Sequence, residues 1–306
     1  MKPGAKQHLF LSLLLVAAAL LSGTCATAGR TTVSAAPEAG TNGGEEIHQR
    51  LAETLAAARN PCWQECAPGI WTADLPQSAC GTEFAAVKIR LDRVTLCASL
   101  PSAGETGQPV FSGEFPADFA RRTGAAVAVN MTPFAKTGDG LVPVGIYINR
   151  GRQYSPPNAR YGAVLFFPGG KAEIIPSQDE AASARIRQAE FAFGGFWTVL
   201  ENGEIRGFPE RRNSRTVLGL SRDGETLFLL AAGRPGLLPG GGITFTEGGR
   251  LMQALGAEHA LQMDGGSSTS LFAGGTQRIP SGAFFFRKKN RKTAVNAGFL
   301  PRPVLP

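Results

Sequence analysis

Histidine is almost absent from this chain: His8, His48 and His259 are the three among 306 residues. That scarcity excludes a multi-histidine metal centre and leaves a His-based nucleophile triad without its base. His259 alone lies among the motifs, where it precedes a strand and reads as a packing or capping residue. No Gly-x-Ser-x-Gly elbow is present, so Ser267 and Ser268 lack the strained turn that exposes a hydrolase nucleophile. The glycine-rich stretch from Ala232 to Gly242 lacks the Gly-Lys-Ser/Thr ending of a phosphate loop and the strand-to-helix spacing of a dinucleotide fingerprint. It reads as a mobile loop over a site, or as an ordinary surface loop. No cofactor is expected, and a metal requirement is left open. Long apolar runs are also scarce, since the stretch from Leu9 to Leu21 is too short for a convincing membrane span and no other segment rivals it.

That stretch follows Lys2 and Lys6 and leads to Ala26-Thr27-Ala28, the pattern of a secretory signal peptide over residues 1–28. A secreted or periplasmic protein is expected. Cys25 offers a second reading, as a lipidated first residue, for which Thr24 is a poor neighbour. Cleavage after Ala28 would leave Cys62, Cys66, Cys80 and Cys97, an even set that in an oxidising compartment predicts two disulfides in one of three connectivities. A zinc site is the weaker reading of the same four residues. The formal charge of +7 falls to +5 once Lys2 and Lys6 are removed, a modest excess that does not call for a nucleic-acid partner. The most basic run, Arg287-Lys-Lys-Asn-Arg-Lys292, follows Phe284–Phe286 and reads as a solvated loop between strands.

Residues 29–44 are rich in Ala, Gly, Thr and Pro and read as a flexible leader. From Glu45 to Arg59 the apolar residues Ile47, Leu51, Leu55 and Ala58 recur every three or four positions, which predicts a short amphipathic helix closing the 29–60 segment. Asn60-Pro61 ends it. Residues 61–306 form the main domain, and here strand signals dominate: Val87, Ile89 and Leu91 alternate with polar residues, with a bulge or bend expected near Asp92-Arg93. Further strands are expected at 125–129, 161–167, 191–200, 216–220, 226–231 and 260–263, with hairpin turns at Pro168-Gly169-Gly170, Asn202-Gly203 and Asp223-Gly224. One later helix is clear, opening on a capping box at Thr244-Phe-Thr-Glu247 and stopping at Gly256. The fold class is therefore α+β, mostly antiparallel sheet with few helices.

Chemistry gathers at MDGGSSTS, residues 263–270. Asp264 at the mouth of a buried strand can be partly desolvated and its pKa adjusted for acid or base work. Gly265 and Gly266 can turn backbone N–H groups into a common concavity, and Ser267, Ser268 and Thr269 add hydroxyls, a combination suited to an anionic oxygen. An Asx-type turn between two strands is the plainer reading. Gly194 and Gly195 sit in an aromatic-rich strand, which weakens a sheet unless a ligand or another backbone must come close. Arg215 and Arg234 fall at strand ends.

In order along the chain, VAVNMTPF (127–134), AFGGFWTVLENGEI (192–205), RTVLGLSRDGETLFLLAAGR (215–234), LMQALGA (251–257) and ALQMDGGSSTSLF (260–272) resemble the phosphodiester glycosidase family over most of Val87–Leu300. This chain has Asn130-Met-Thr-Pro-Phe134 where the family usually has Asn-Gly-Gly-Phe-Phe, Ala232 where it usually has an acid, and Ser267 where it often has a third glycine. The resemblance implies hydrolysis of a sugar-1-phosphodiester at the anomeric carbon, with a glycan or sugar phosphate as partner. It implies Asp264 as principal carboxylate and Asn130 as the residue that orients sugar or water. Arg215, Gly265, Gly266, Ser268 and Thr269 would hold the phosphate, Gly194 and Gly195 would let substrate lie close to backbone, and Arg234 would border the site. A second carboxylate is left open among Glu190, Glu201, Glu204 and Glu210. The alternative is a module that binds an envelope glycan or its phosphates without cleaving it.

Overall fold

The structure, a computed structural model, describes residues 42–104, 108–206, 211–233, 241–282 and 291–303, with side chains from Leu51 onward. The expected signal peptide, Glu210, Arg234 and Arg287–Asn290 lie outside the described residues.

Among the described residues every strand pairing is antiparallel, as the alternation and hairpin signals require. An eight-stranded sheet has at its centre Glu83–Arg90, Thr226–Gly233, Arg215–Leu220 and His259–Gln262, in that spatial order. A five-stranded sheet is built around Phe191–Gly194, and a second around Val127–Asn130, which lies between Leu271–Ala273 and Asn296–Pro301. The three sheets share one core, to which Ile70, Val87 and Leu229 contribute from the first, Val164 and Phe193 from the second, and Val129 and Phe299 from the third. Each such side chain stabilises the fold by about 1.5–3 kcal/mol through the apolar surface it removes from water.

Helices cover the outer faces. Helix α1 (Asn42–Arg59) starts three residues before the expected Glu45 and packs Leu51, Leu55 and Ala58 into a cluster with α4 (Phe245–Ala254) and with Val217 and Leu230. Two helices escaped the sequence reading. One is α2 (Pro116–Thr123), whose Phe119 and Ala120 pack on Ala128 and Phe272; the other is the six-residue α3 (Ser183–Gln188), whose Ile186 packs on the Phe191 sheet. Local signals for α2 were present, since Pro116 occupies its first turn and Gly124, at φ 74°, closes it. The α4 capping box forms as expected, Thr244 accepting from Glu247 N and Thr244 N donating to the Glu247 carboxylate.

Three further expectations resolve by topology. The bend near Asp92 is a 3₁₀ turn, Leu91–Arg93, at which the chain leaves the eight-stranded sheet for Val94–Ala98 in another. The stretch 191–200 is two strands, Phe191–Gly194 and Thr198–Glu201, which belong to different sheets. The two disulfides are not formed: Cys62, Cys66, Cys80 and Cys97 are free thiols. Cys66 packs beside Gly274, whereas Cys97 belongs to a different sheet and packs against Gly298. No described helix is long and apolar enough to cross a membrane.

Candidate active site

The motif MDGGSSTS is a crossing between sheets. His259–Gln262 runs in the eight-stranded sheet against Arg215–Leu220, and Leu271–Ala273 runs in the other beside Val127–Asn130. Between them the chain leaves both ladders, so its backbone groups need other partners. Met263 N donates to Thr216 O at 2.9 Å and Asp264 N to Met131 O at 2.9 Å, which stitches the crossing to both sheets at once. Asn130 completes the stitch: its Nδ2 donates to Asp264 O at 2.7 Å, while its Oδ1 accepts from Thr216 Oγ1 at 2.8 Å and from Ser270 N at 3.0 Å. Asn130 is fully buried, so it fixes the backbone behind Asp264 and offers no surface to a substrate.

Glycine is favoured at 265 because a Cβ there would lie 3.0 Å from Ser214 O, a tight approach to backbone, and at 266 because φ is +61°. The expected anion nest is not open as drawn from the sequence. Gly265 N donates to Asp264 Oδ1 at 3.0 Å and Gly266 N to Ser214 O at 2.7 Å. The loop uses these two N–H groups to shape itself, and hydroxyls are among the donors left for a ligand.

Those hydroxyls carry the strongest signal in the molecule. Among the described residues six buried side-chain polar atoms lack a hydrogen-bond partner, and five cluster here: Thr132 Oγ1, Gln262 Oε1, Asp264 Oδ2, Ser268 Oγ and Thr269 Oγ1. A buried polar atom without a partner costs roughly 1–3 kcal/mol, so five on one crossing mark a place kept for something polar rather than for stability. Burial pushes the Asp264 carboxyl up to about 6. Three features oppose that rise: the Ser268 hydroxyl, close enough to favour the charged form but outside hydrogen-bond geometry; the positive charge of Arg291; and the Gly265 N–H. A carboxylate poised near neutrality can exchange a proton at physiological pH.

Arg291 was missed by the sequence reading, which treated the basic run 287–292 as solvated loop. Its Nη1 donates to Ser267 Oγ at 3.1 Å and its guanidinium lies 4.8 Å from the centre of the Phe134 ring. No local signal separates Arg291 from the other basic residues of that run; only the pairing of Asn296–Pro301 with Val127–Asn130 brings it beside Asp264. Arg215 is placed differently. Alternation puts it on the α4 face of its strand, where its guanidinium lies 4.1 Å from the centre of the Phe245 ring and donates to Ile243 O and Arg211 O, while its neighbour Thr216 faces Asn130.

Gly194 and Gly195 are explained by backbone. A Cβ on Gly194 would lie 3.2 Å from Ile146 backbone, and one on Gly195 would lie 2.7 Å from Gln262 O. These glycines let the chain pass between sheets. Of the four glutamates, Glu201 pairs with Arg206, Glu190 borders a groove with Leu91 and Phe167, and Glu204 is exposed beyond Glu201. His259 accepts from Asn202 N at the far end of the strand from Asp264. Among the described residues no three His, Cys, Asp or Glu side chains gather as metal ligands.

The sequence model of the phosphodiester glycosidase family matches residues 123–301. No curated protein matches the sequence. Among solved structures, the catalytic domain of zebrafish N-acetylglucosamine-1-phosphodiester alpha-N-acetylglucosaminidase, described as auto-inhibited by its pro-peptide, superposes with a TM-score of 0.58 at 15% identity, over 78% of this chain and 86% of that one. A hypothetical protein of Synechocystis gives 0.59 at 16%, over 76% of this chain but 62% of its own, less than two-thirds of its length. A Burkholderia pseudomallei protein gives 0.55 at 14%, over 72% and 74%. At such identities the likeness is one of fold.

Proposed function

The chain belongs to the phosphodiester glycosidase family, and from that premise we propose that it hydrolyses a sugar-1-phosphodiester at the anomeric carbon, outside the cytoplasm, with Asp264 as the principal carboxylate. Water adds across the bond between the anomeric carbon and the phosphate oxygen, its OH going to carbon and its proton to the departing phosphomonoester. Phosphate leaves readily without prior protonation, so the greater need is to stabilise an oxocarbenium-like transition state and to activate water or supply a nucleophile. Ionised Asp264 suits either role.

The observation that carries this reading is the partly buried Asp264, poised near pH 6 and ringed by unpartnered hydroxyl and amide oxygens able to meet a sugar's hydroxyls. Asn130 and Thr216 hold the backbone on which it stands. The binding-only alternative draws on the departures at Met131–Pro133 and at Ala232. Met131 and Ala232 are fully buried and fall in packing, whereas Thr132 brings a hydroxyl without a partner to the Asp264 crossing, so the departures leave the candidate carboxylate and its polar surroundings in place.

The zebrafish relative suggests the first probe, UDP-N-acetylglucosamine, with other nucleoside diphosphate sugars beside it. Release of free reducing sugar is expected from the wild type, and a loss of about 10³-fold in Asp264→Asn at pH 7.5 with the circular dichroism spectrum unchanged. Full activity in Asp264→Asn would remove that residue from the mechanism. Sugar phosphates bound but never cleaved by the wild type would turn the reading to the binding module.

A further inference from the structure

The basic run 287–292 has the pattern of solvated surface, yet its fifth residue, Arg291, is tethered at the Asp264 crossing through Ser267. Two backbone hydrogen bonds make the connection: Met131 N donates to Val295 O at 3.0 Å, and Asp264 N donates to Met131 O at 2.9 Å. The strap 291–295 is fixed further by Thr293, which exchanges backbone hydrogen bonds with Glu114. On this anchored strap Arg291 stacks on Phe134 and donates to Ser267, and it forms no ion pair among the described residues. Lys292, the next residue, is directed elsewhere, its Nζ 5.9 Å from the Phe115 ring.

We propose that Arg291 is the residue that recognises the substrate's phosphate and holds it beside Asp264, with the Phe134 face and the Ser267 hydroxyl fixing the plane of its guanidinium. This rests on the reading of Asp264 as the reacting carboxylate. The physical need is plain: an ionised aspartate and a phosphodiester anion repel at contact distance in a partly desolvated site, and a cation shared between them offsets that repulsion. A guanidinium with one donor committed to Ser267 keeps others in its planar fork for two phosphate oxygens. Arg291 is held on Ser267 of the same loop and its positive charge acts on Asp264; Ser268, Thr269, Thr132, Gln262 and Asn130 around that carboxylate are neutral, and the Arg215 guanidinium lies against Phe245.

The test compares wild type with Arg291→Gln, Arg291→Lys and Lys292→Gln. With UDP-N-acetylglucosamine, KM should rise about tenfold or more in Arg291→Gln, the loss of a charge-assisted contact, and less in Arg291→Lys. With a neutral aryl glycoside it should change less than about threefold, and Lys292→Gln should match wild type on both. In parallel, ¹³C-carboxyl NMR should show the Asp264 titration midpoint shifting on addition of inorganic phosphate in wild type, and that response lost in Arg291→Gln. Equal losses on both substrates, a phosphate response preserved in Arg291→Gln or absent from wild type, or the same effects in Lys292→Gln would overturn the proposal. If wild type cleaves neither substrate, the glycosidase reading fails, and the NMR response still decides whether Arg291 binds phosphate.

Discussion

Two carboxylates of this protein sit in burial, and they are treated in opposite ways. Glu247, in the first turn of α4, is fully buried, yet both its oxygens are used: Oε1 by the Arg212 guanidinium and Oε2 by Thr244 N at 2.8 Å. Asp264, at the sheet crossing, is partly accessible, yet its Oδ2 has no hydrogen-bond partner and its neighbours Ser268 and Thr269 carry unpartnered hydroxyls. Burial alone therefore does not mark a working carboxylate. What distinguishes one is burial combined with unmet hydrogen-bonding capacity, because folding gains nothing from that combination.

The harshest way to probe the contrast is Glu247→Ala. It leaves Arg212, whose side chain is 18% exposed, without its anion and strips the cap of α4, so stability should fall by about 3–5 kcal/mol in urea unfolding. Sugar release by the fraction still folded should stay within about twofold of wild type. A mild stability loss joined to dead enzyme would mean that Glu247, too, works in the site.

Asp264→Asn should act in the opposite direction on stability. Asp264 holds its proton more tightly folded than unfolded, since its pKa rises from 3.8 to about 6. Between about pH 4 and 6 the native state consequently loses stability as pH rises, and above 6 the full cost of the buried charge, about 3 kcal/mol, is present. Removing that charge should stabilise the protein by up to about that amount at pH 8 and by little at pH 4. Equal effects at both pH values would show that burial does not raise this carboxyl.

The smallest effect separates two threonines. Thr244→Val removes a helix cap and should cost about 1 kcal/mol. Thr269→Val removes an unpartnered hydroxyl at nearly constant volume and should cost less than about 0.5 kcal/mol, while lowering turnover. A full 1 kcal/mol loss at Thr269 would indicate a partner in the folded protein itself.

Much of this was legible in the sequence, for reasons that are local. Antiparallel pairing followed from alternation and from turn residues such as Asn202-Gly203, at φ 52° and 75°. The α4 helix followed from its capping box, and Asp264 stood out as an acid among glycines and hydroxyls at the end of an apolar run. Which face a residue takes was not legible locally. Arg215 and Thr216 are adjacent, but the strand sends one to Phe245 and the other to Asn130. Gly194 and Gly195 invited a ligand, and the space they provide is filled by the backbone of Ile146 and Gln262.

By itself the sequence determined the family, the strand-rich architecture and the carboxylate most worth testing, because hydrophobic period, turn chemistry and motif order are all written within short stretches of chain. The tertiary structure alone decided which cation stands beside that carboxylate. Arg291 and Asp264 are brought together by the pairing of Asn296–Pro301 with Val127–Asn130 and by the bridge through Met131. Such contacts depend on register between distant strands, and a strand's own residues do not encode which partner it will meet.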